Sequence, residues 1–251
     1  TLLHNETFEF ENIRQYIKSL LSKNISIIPN SSKTKAEILN FCHELKEELP
    51  FIAENGAAIY KMNFINSDFP EKIILSRDKD EILNIFLKKI PKKFILKCKF
   101  VLKLKKDEQL KIFGLSEKQL SYASDREFSV PLLFKGNKVE KNNLFRLASD
   151  MGLTMQEGGR VINLSDNVCK SFAMKKVRRI FDKTEKQELK IIGVGDNFND
   201  LDMLKSSDIA CLVFNEKFKL DTLNINNCLV SKKPAPEGWE EVVKMALEKI
   251  Q

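Results

Sequence analysis

Apolar positions along this chain fall into two rhythms, one helical and one strand-like. Ile13, Ile17, Leu20 and Leu21 recur at helical spacing and predict a helix over residues 11–23, and Ile38, Phe41, Cys42 and Leu45 predict another over 35–46. Between them a short apolar run, 25–29, meets the polar cluster Asn30, Ser31, Ser32, Lys33, Thr34, and a buried strand at 51–53 is closed by Asn55-Gly56. Helix, strand, polar loop, helix, strand is the order of parallel βα units.

The middle changes character. Helices predicted over 80–89, 107–113 and 116–123 alternate with strands over 128–134, 153–156 and 161–164, and Ser116 followed by Gln119 has the spacing of a capping box. After Cys169 the βα rhythm returns: a helix to 181, a strand over 190–194 ending in Gly195-Asp196, a helix over 199–205, strands over 209–214 and 228–230, and a last helix over 237–250. The predicted fold class is therefore α/β, a doubly wound, Rossmann-like parallel sheet made by residues 1–70 and 166–251. Residues 71–165 form an inserted α+β domain. In such sheets the chemistry sits at the carboxyl ends of the strands.

Composition narrows the function classes. Apolar residues at 43% and charged residues at 31% are globular values, and the sequence has no apolar run long enough for a membrane helix, so no membrane partner is expected. The net charge of +7 admits an anionic ligand. The densest basic stretch, 88–106, mixes lysines with Phe94, Ile95, Phe100 and Val101. Its alternation at Leu96-Lys97-Cys98-Lys99 favours a solvated sheet face, and no nucleic-acid partner is expected. Five cysteines without a C-x-x-C pair argue for free thiols in a reducing compartment, and residues 1–10 contain no secretory apolar core, so a cytoplasmic location is expected. Nothing in the pattern specifies an oligomeric state.

Candidate chemistry concentrates in Gly193-Val194-Gly195-Asp196-Asn197-Phe198-Asn199-Asp200. A strand delivers Asp196 to its carboxyl end, and Asn199 and Asp200 open the next helix. Oxygen donors three to four residues apart across such a turn suit Mg²⁺, which takes one or two protein carboxylates and fills its other positions with water and phosphate. The competing reading is that Asn199 or Asp200 caps a helix. Ser31 occupies the corresponding place after the run 25–29, where a hydroxyl and the N–H groups of the next turn can hold a phosphoryl oxygen, or where a loop simply caps a helix. Lys170 opens the helix after the insert. Beside a phosphate it would offset negative charge; otherwise it is a solvated lysine.

In this order, and with an insert between the second and third, these elements resemble the haloacid-dehalogenase superfamily of phosphatases. Ser31 matches its second motif, Lys170 its third and Gly195-Asp196-x-x-Asn199-Asp200 its fourth, and the insert resembles the large α/β cap of the Cof-like branch. The segments Ser31 to Thr34, Glu54 to Ala57, Arg126 to Ser129, Gly158-Gly159-Arg160 and Pro236 to Trp239 are similar to the mannosyl-3-phosphoglycerate phosphatase family within it. The chain departs from that pattern at Cys169-Lys170-Ser171, where the family has Asp-Lys-Gly, and at Asn163 and Val130, in place of a His and a Glu.

The resemblance implies a Mg²⁺-dependent phosphomonoesterase working through an aspartyl-phosphate. Asp196 and Asp200 would hold the metal, Ser31 and Lys170 the transferring phosphoryl group. Ser32, Lys33, Asn55, Arg126, Gly158, Gly159, Arg160 and Asn199 would bind a small phosphorylated sugar or glycerate, with Arg126 and Arg160 gripping its carboxylate. The family opens on Asp-x-Asp-Gly-Thr. Its nucleophile and acid/base carboxylates are expected ahead of Thr1.

Overall fold

The computed structural model describes residues 1–4, 7–158, 160–184, 189–216, 225 and 227–250. Its helices are α1 (Arg14–Leu21), α2 (Lys35–Leu45), α3 (Lys79–Lys89), α4 (Lys92–Ile95), α5 (Lys106–Phe113), α6 (Glu117–Ser124), α7 (Lys138–Ser149), α8 (Lys170–Thr184), α9 (Leu201–Lys205) and α10 (Glu237–Glu248). The strands are β1 (Phe51–Ala53), β2 (Ala58–Tyr60), β3 (Lys72–Ile74), β4 (Cys98–Phe100), β5 (Ser129–Phe134), β6 (Leu153–Glu157), β7 (Ile162–Asp166), β8 (Ile192–Gly195), β9 (Ile209–Leu212) and β10 (Leu229–Val230). By their contacts these elements form two compact units, Thr1–Ile27 with Lys170–Gln251, and Ile28–Cys169. Residues 28–70 thus group with the segment read from sequence as an insert.

The first unit is the α/β core. Its sheet runs β10-β9-β8, all parallel, with Cys211 of β9 opposite both Val194 and Leu229. Side chains alternate along β9. Ala210 and Leu212 pack with Met174 of α8 and with Met203 and Leu204 of α9, whereas the Cys211 thiol lies 3.7 Å from the Val242 carbonyl of α10. Period 2 in a strand puts those neighbours on opposite faces, so helices cover both, as a doubly wound sheet requires. α1 buries Ile17 and Leu20, following Ile13 in the turn before it; Tyr16 meets Trp239 of α10 edge-on, with ring centroids 6.2 Å apart. Each such fully buried apolar side chain contributes about 1.5–3 kcal/mol.

The second unit holds two antiparallel sheets, β1-β2-β3 and β4-β5-β7-β6. β1 has an expected parallel neighbour on one side, the bridge from Ile52 to Asn30, and on the other it pairs antiparallel with β2, Ala53 opposite Ala58, through a tight turn in which Glu54, Asn55 and Gly56 all have positive φ. Asn-Gly after a short apolar strand is a hairpin signal, which periodicity alone cannot separate from a strand end. The run 25–29 forms no strand. A single parallel bridge, Asn30 to Ile52, ends it, with the Ile52 N–H donating to Pro29 O at 2.7 Å and the Ser31 N–H to Ile52 O at 3.0 Å. Pro29 has no N–H with which to extend that ladder.

In the four-stranded sheet, Val130 and Leu132 of β5, Ile162 and Leu164 of β7, and Leu153 and Met155 of β6 face Ile82 and Phe86 of α3 and Leu144 and Ala148 of α7. By alternation Ser129 and Ser165, opposite each other in the register, point to the other face. α2 begins in a capping box: Thr34 Oγ1 accepts from the Glu37 N–H at 3.1 Å, and Glu37 accepts from the Thr34 N–H at 2.9 Å. The same hydroxyl donates to the Tyr122 carbonyl at 2.7 Å and so ties α2 to α6. The expected box at Ser116 and Gln119 forms as well. All five cysteines are free thiols, and among the described residues no helix is long and apolar enough to cross a membrane.

Candidate active site

Lys170 is the first residue of α8 and is buried. A cation at a helix N-terminus opposes the helix dipole and loses water on burial, so it needs a strong counter-charge. Asp200 supplies it. Lys170 Nζ donates to Asp200 Oδ1 at 2.6 Å, and Asp200 is 2% exposed. The other carboxylate oxygen, Oδ2, accepts from the N–H groups of Asp196 and Asn197 at 3.1 and 3.2 Å. Asp200 therefore does cap the turn that starts at Asn197, yet capping uses only one of its oxygens.

This packing explains Gly195. A Cβ there would stand 2.4 Å from the Asp200 Cβ and 2.9 Å from its Cγ, a space only glycine leaves open. Gly193 similarly clears the Ser207 hydroxyl, so the Gly-x-Gly pair serves close approach of helix to strand. Gly195→Ala should push Asp200 off Lys170 and destabilise the protein by about 1–3 kcal/mol, the usual range for overpacking. Urea unfolding measures it, and an unshifted midpoint would show that the strand end yields instead.

Asp196 stands at the end of β8, half-buried, with its carbonyl accepting from Asn215 Nδ2 at 3.1 Å and its Oδ1 hydrogen-bonded to the Thr1 hydroxyl. Asn199 lies exposed in the turn beside it. The side chains gathered here offer oxygen donors, not sulfur or imidazole, and among the described residues no group of three or more His, Cys, Asp or Glu side chains is placed to hold a metal. A hard cation that takes few protein ligands fits such a set; a structural zinc does not. Both Asp200 oxygens are engaged within the protein, as is Asp196 Oδ1 with Thr1.

Other predicted residues belong to the second unit. Ser31 is held in its loop by two backbone bonds: its N–H donates to Ile52 O, and its carbonyl accepts from the Asn55 N–H at 2.8 Å. Its hydroxyl accepts from the Lys33 N–H at 3.2 Å. Lys33 pairs with Glu37 at 3.1 Å, and Ser32, between Ser31 and Lys33, is half-buried. Arg126 is buried, 8% exposed, with Nη1 donating to Ser129 Oγ at 2.9 Å and Nε buried without a hydrogen-bond partner. Arg160 is exposed and donates to the Phe113 carbonyl; the Gly158 N–H bonds Val161 O at 2.8 Å, and Gly159 lies outside the described residues.

Sequence reasoning missed Glu54. It is 2% exposed at the end of β1, and its carboxylate accepts from the N–H groups of Glu127 at 2.8 Å and Phe128 at 3.2 Å, and from the Ser129 hydroxyl. Burial pushes its carboxyl above the ordinary range, partly offset by the Ser129 hydrogen bond and the nearby Arg126 charge. Left-handed backbone at Glu54 (φ 47°) and Asn55 (φ 60°) costs roughly 1–2 kcal/mol per residue. The available signal was an acidic residue directly following an all-apolar strand.

A parallel α/β sheet in which β8 ends in an aspartate turn, with a lysine-paired carboxylate beside it, fits a hydrolase core of the haloacid dehalogenase type. The haloacid dehalogenase-like hydrolase family matches residues 1–224, and the chain belongs to it. Among its relatives, the glucosyl-3-phosphoglycerate/mannosyl-3-phosphoglycerate phosphatase of Persephonella marina is 29% identical over 100% of this chain and 95% of its own length. The like-named protein of Methanococcoides burtonii is 26% identical over 97% and 92%. In fold, the chain is similar to a haloacid dehalogenase superfamily phosphatase from Bacteroides thetaiotaomicron, with a TM-score of 0.69 at 15% identity over 98% and 91% of the two chains.

Proposed function

We propose that this phosphatase of the haloacid dehalogenase-like family is a cytoplasmic, Mg²⁺-dependent phosphomonoesterase acting on a glycosyl-3-phosphoglycerate, with the mannosyl compound as first candidate. The observation that carries the metal-site assignment is the buried Lys170–Asp200 pair beneath Asp196. Similarity over 100% and 97% of this chain to the two glucosyl-3-phosphoglycerate/mannosyl-3-phosphoglycerate phosphatases supports the substrate. When bound, Mg²⁺ neutralises charge on the phosphoryl oxygens. Asp196 is assigned as its ligand, Asp200 and Asn199 as the groups that orient that shell, Ser31 and Lys170 as contacts of the phosphoryl group. In this reading one carboxylate forms a bond to phosphorus as the ester P–O bond breaks, and a second gives its proton to the leaving alkoxide and then takes one from the attacking water. Ser32, Lys33, Asn55, Gly158 and Gly159 are assigned to the substrate, with Arg126 and Arg160 at its carboxylate. Residues 71–165 act as the cap.

A substrate panel tests this. Phosphate release from mannosyl- and glucosyl-3-phosphoglycerate should exceed release from hexose phosphates by at least about 10² in kcat/KM, the range a site built around a charged group achieves, and should vanish with EDTA. Comparable turnover of hexose phosphates would leave a broader sugar phosphatase of the Cof-like kind.

A further inference from the structure

We propose that Glu54 is the positioning residue of a carboxylate subsite: through Ser129 it holds Arg126 in place to receive the glycerate carboxylate, and Asn55, the next residue in its turn, supplies an acceptor for a ligand hydroxyl. The chain of contacts is short. Glu54 accepts from the Ser129 hydroxyl, and Ser129 Oγ in turn accepts from Arg126 Nη1 at 2.9 Å. The Glu127 and Phe128 N–H groups fix the same carboxylate, so the backbone that carries Arg126 is clamped on Glu54 from three sides.

Two polar atoms are left over. Arg126 Nε, a donor, and Asn55 Oδ1, an acceptor, are buried without hydrogen-bond partners, on residues 8% and 7% exposed. Buried groups of this kind are rare unless something else completes them. A glycosyl-glycerate has the complementary pair, the glycerate carboxylate for the guanidinium and a sugar hydroxyl for the amide oxygen. The turn also reaches the Ser31 loop: the Asn55 N–H donates to Ser31 O at 2.8 Å and the Glu54 N–H to Lys33 O at 3.0 Å. One strained turn thus joins the loop assigned to the phosphoryl group and the segment bearing Arg126, as recognition of a short anion with both groups requires. The inference rests on the proposed phosphoryl role of Ser31.

Calorimetric binding of 3-phosphoglycerate against glycerol 3-phosphate, which differ in the carboxylate, tests it on the full-length protein. Wild type should bind 3-phosphoglycerate at least tenfold tighter. Glu54→Gln should abolish that preference, because the amide removes the negative charge and reverses the Ser129 hydrogen bond. Arg126→Ala should abolish it too, and the double variant should be no worse than Arg126→Ala alone. If Glu54→Gln does not fold, Ser129→Ala is read in the same way. Equal wild-type affinity for the two anions, a preference that survives Glu54→Gln, or a further loss in the Arg126→Ala background would overturn the proposal. Absence of Mg²⁺-dependent turnover with the binding preference intact would instead remove the phosphatase reading and leave the subsite standing.

Discussion

Asp196→Asn should lower Mg²⁺-dependent phosphate release by about 10²–10³-fold, the loss that follows removal of one preorganised charge-stabilising group. The substitution keeps the size of the side chain and an oxygen for the Thr1 hydroxyl, so the strand end should survive. What disappears is the negative charge at the end of β8. Measuring phosphate release against Mg²⁺ concentration separates the two consequences: the half-saturating concentration should rise, and the maximal rate should stay low at saturation. Asn199→Ala, which alters only a group orienting the ligand, should cost about 10–100-fold. Identical Mg²⁺ curves for wild type and Asp196→Asn would sink the metal assignment, whatever the effect on stability.

Local chemistry was the part of this chain most legible in its sequence. Ile38, Phe41, Cys42 and Leu45 share one helical face, and all four are buried in α2. Ser116 and Gln119 form the expected box, because capping depends on residues three apart and little else. The Asp196 turn was readable for the same reason. Partners far apart in sequence were not readable. Lys170 and Asp200 are separated by 30 positions, and either alone passes for a solvated lysine and a helix cap. Glu54 meets Ser129 across 75 positions, with nothing local to announce it. Short strands were the other failure: β1 is three residues, buried throughout, so no alternation announces that it pairs antiparallel with β2 besides its parallel bridge to Asn30. α7 escaped because charged and amide residues crowd its first half. Its capping pair, Asn137 and Glu140, was nevertheless in view, with Leu144 and Ala148 one turn apart behind it.

Lys170→Met should destabilise the protein by about 3–5 kcal/mol, as removal of one partner from a buried ion pair does elsewhere. Methionine fills the space of the lysine stem, so the loss comes from charge more than from volume. Asp200, 2% exposed, would keep its bonds to the Asp196 and Asn197 N–H groups and lose the Lys170 ammonium, whose Nζ stands 2.6 Å away. An isolated carboxylate in that position is the unfavourable species. Combining Lys170→Met with Asp200→Asn should therefore restore most of the stability, since the amide oxygen can still accept from the two N–H groups and no charge remains buried. Activity should not return with stability. The double variant lacks the cation assigned to the phosphoryl group, and its phosphate release should stay at least about 10²-fold below wild type. Urea unfolding and phosphate release on the same three proteins decide the matter: Lys170→Met within about 1 kcal/mol of wild type would show that solvent reaches the pair, and an active double variant would reduce Lys170 to a structural counter-ion for Asp200.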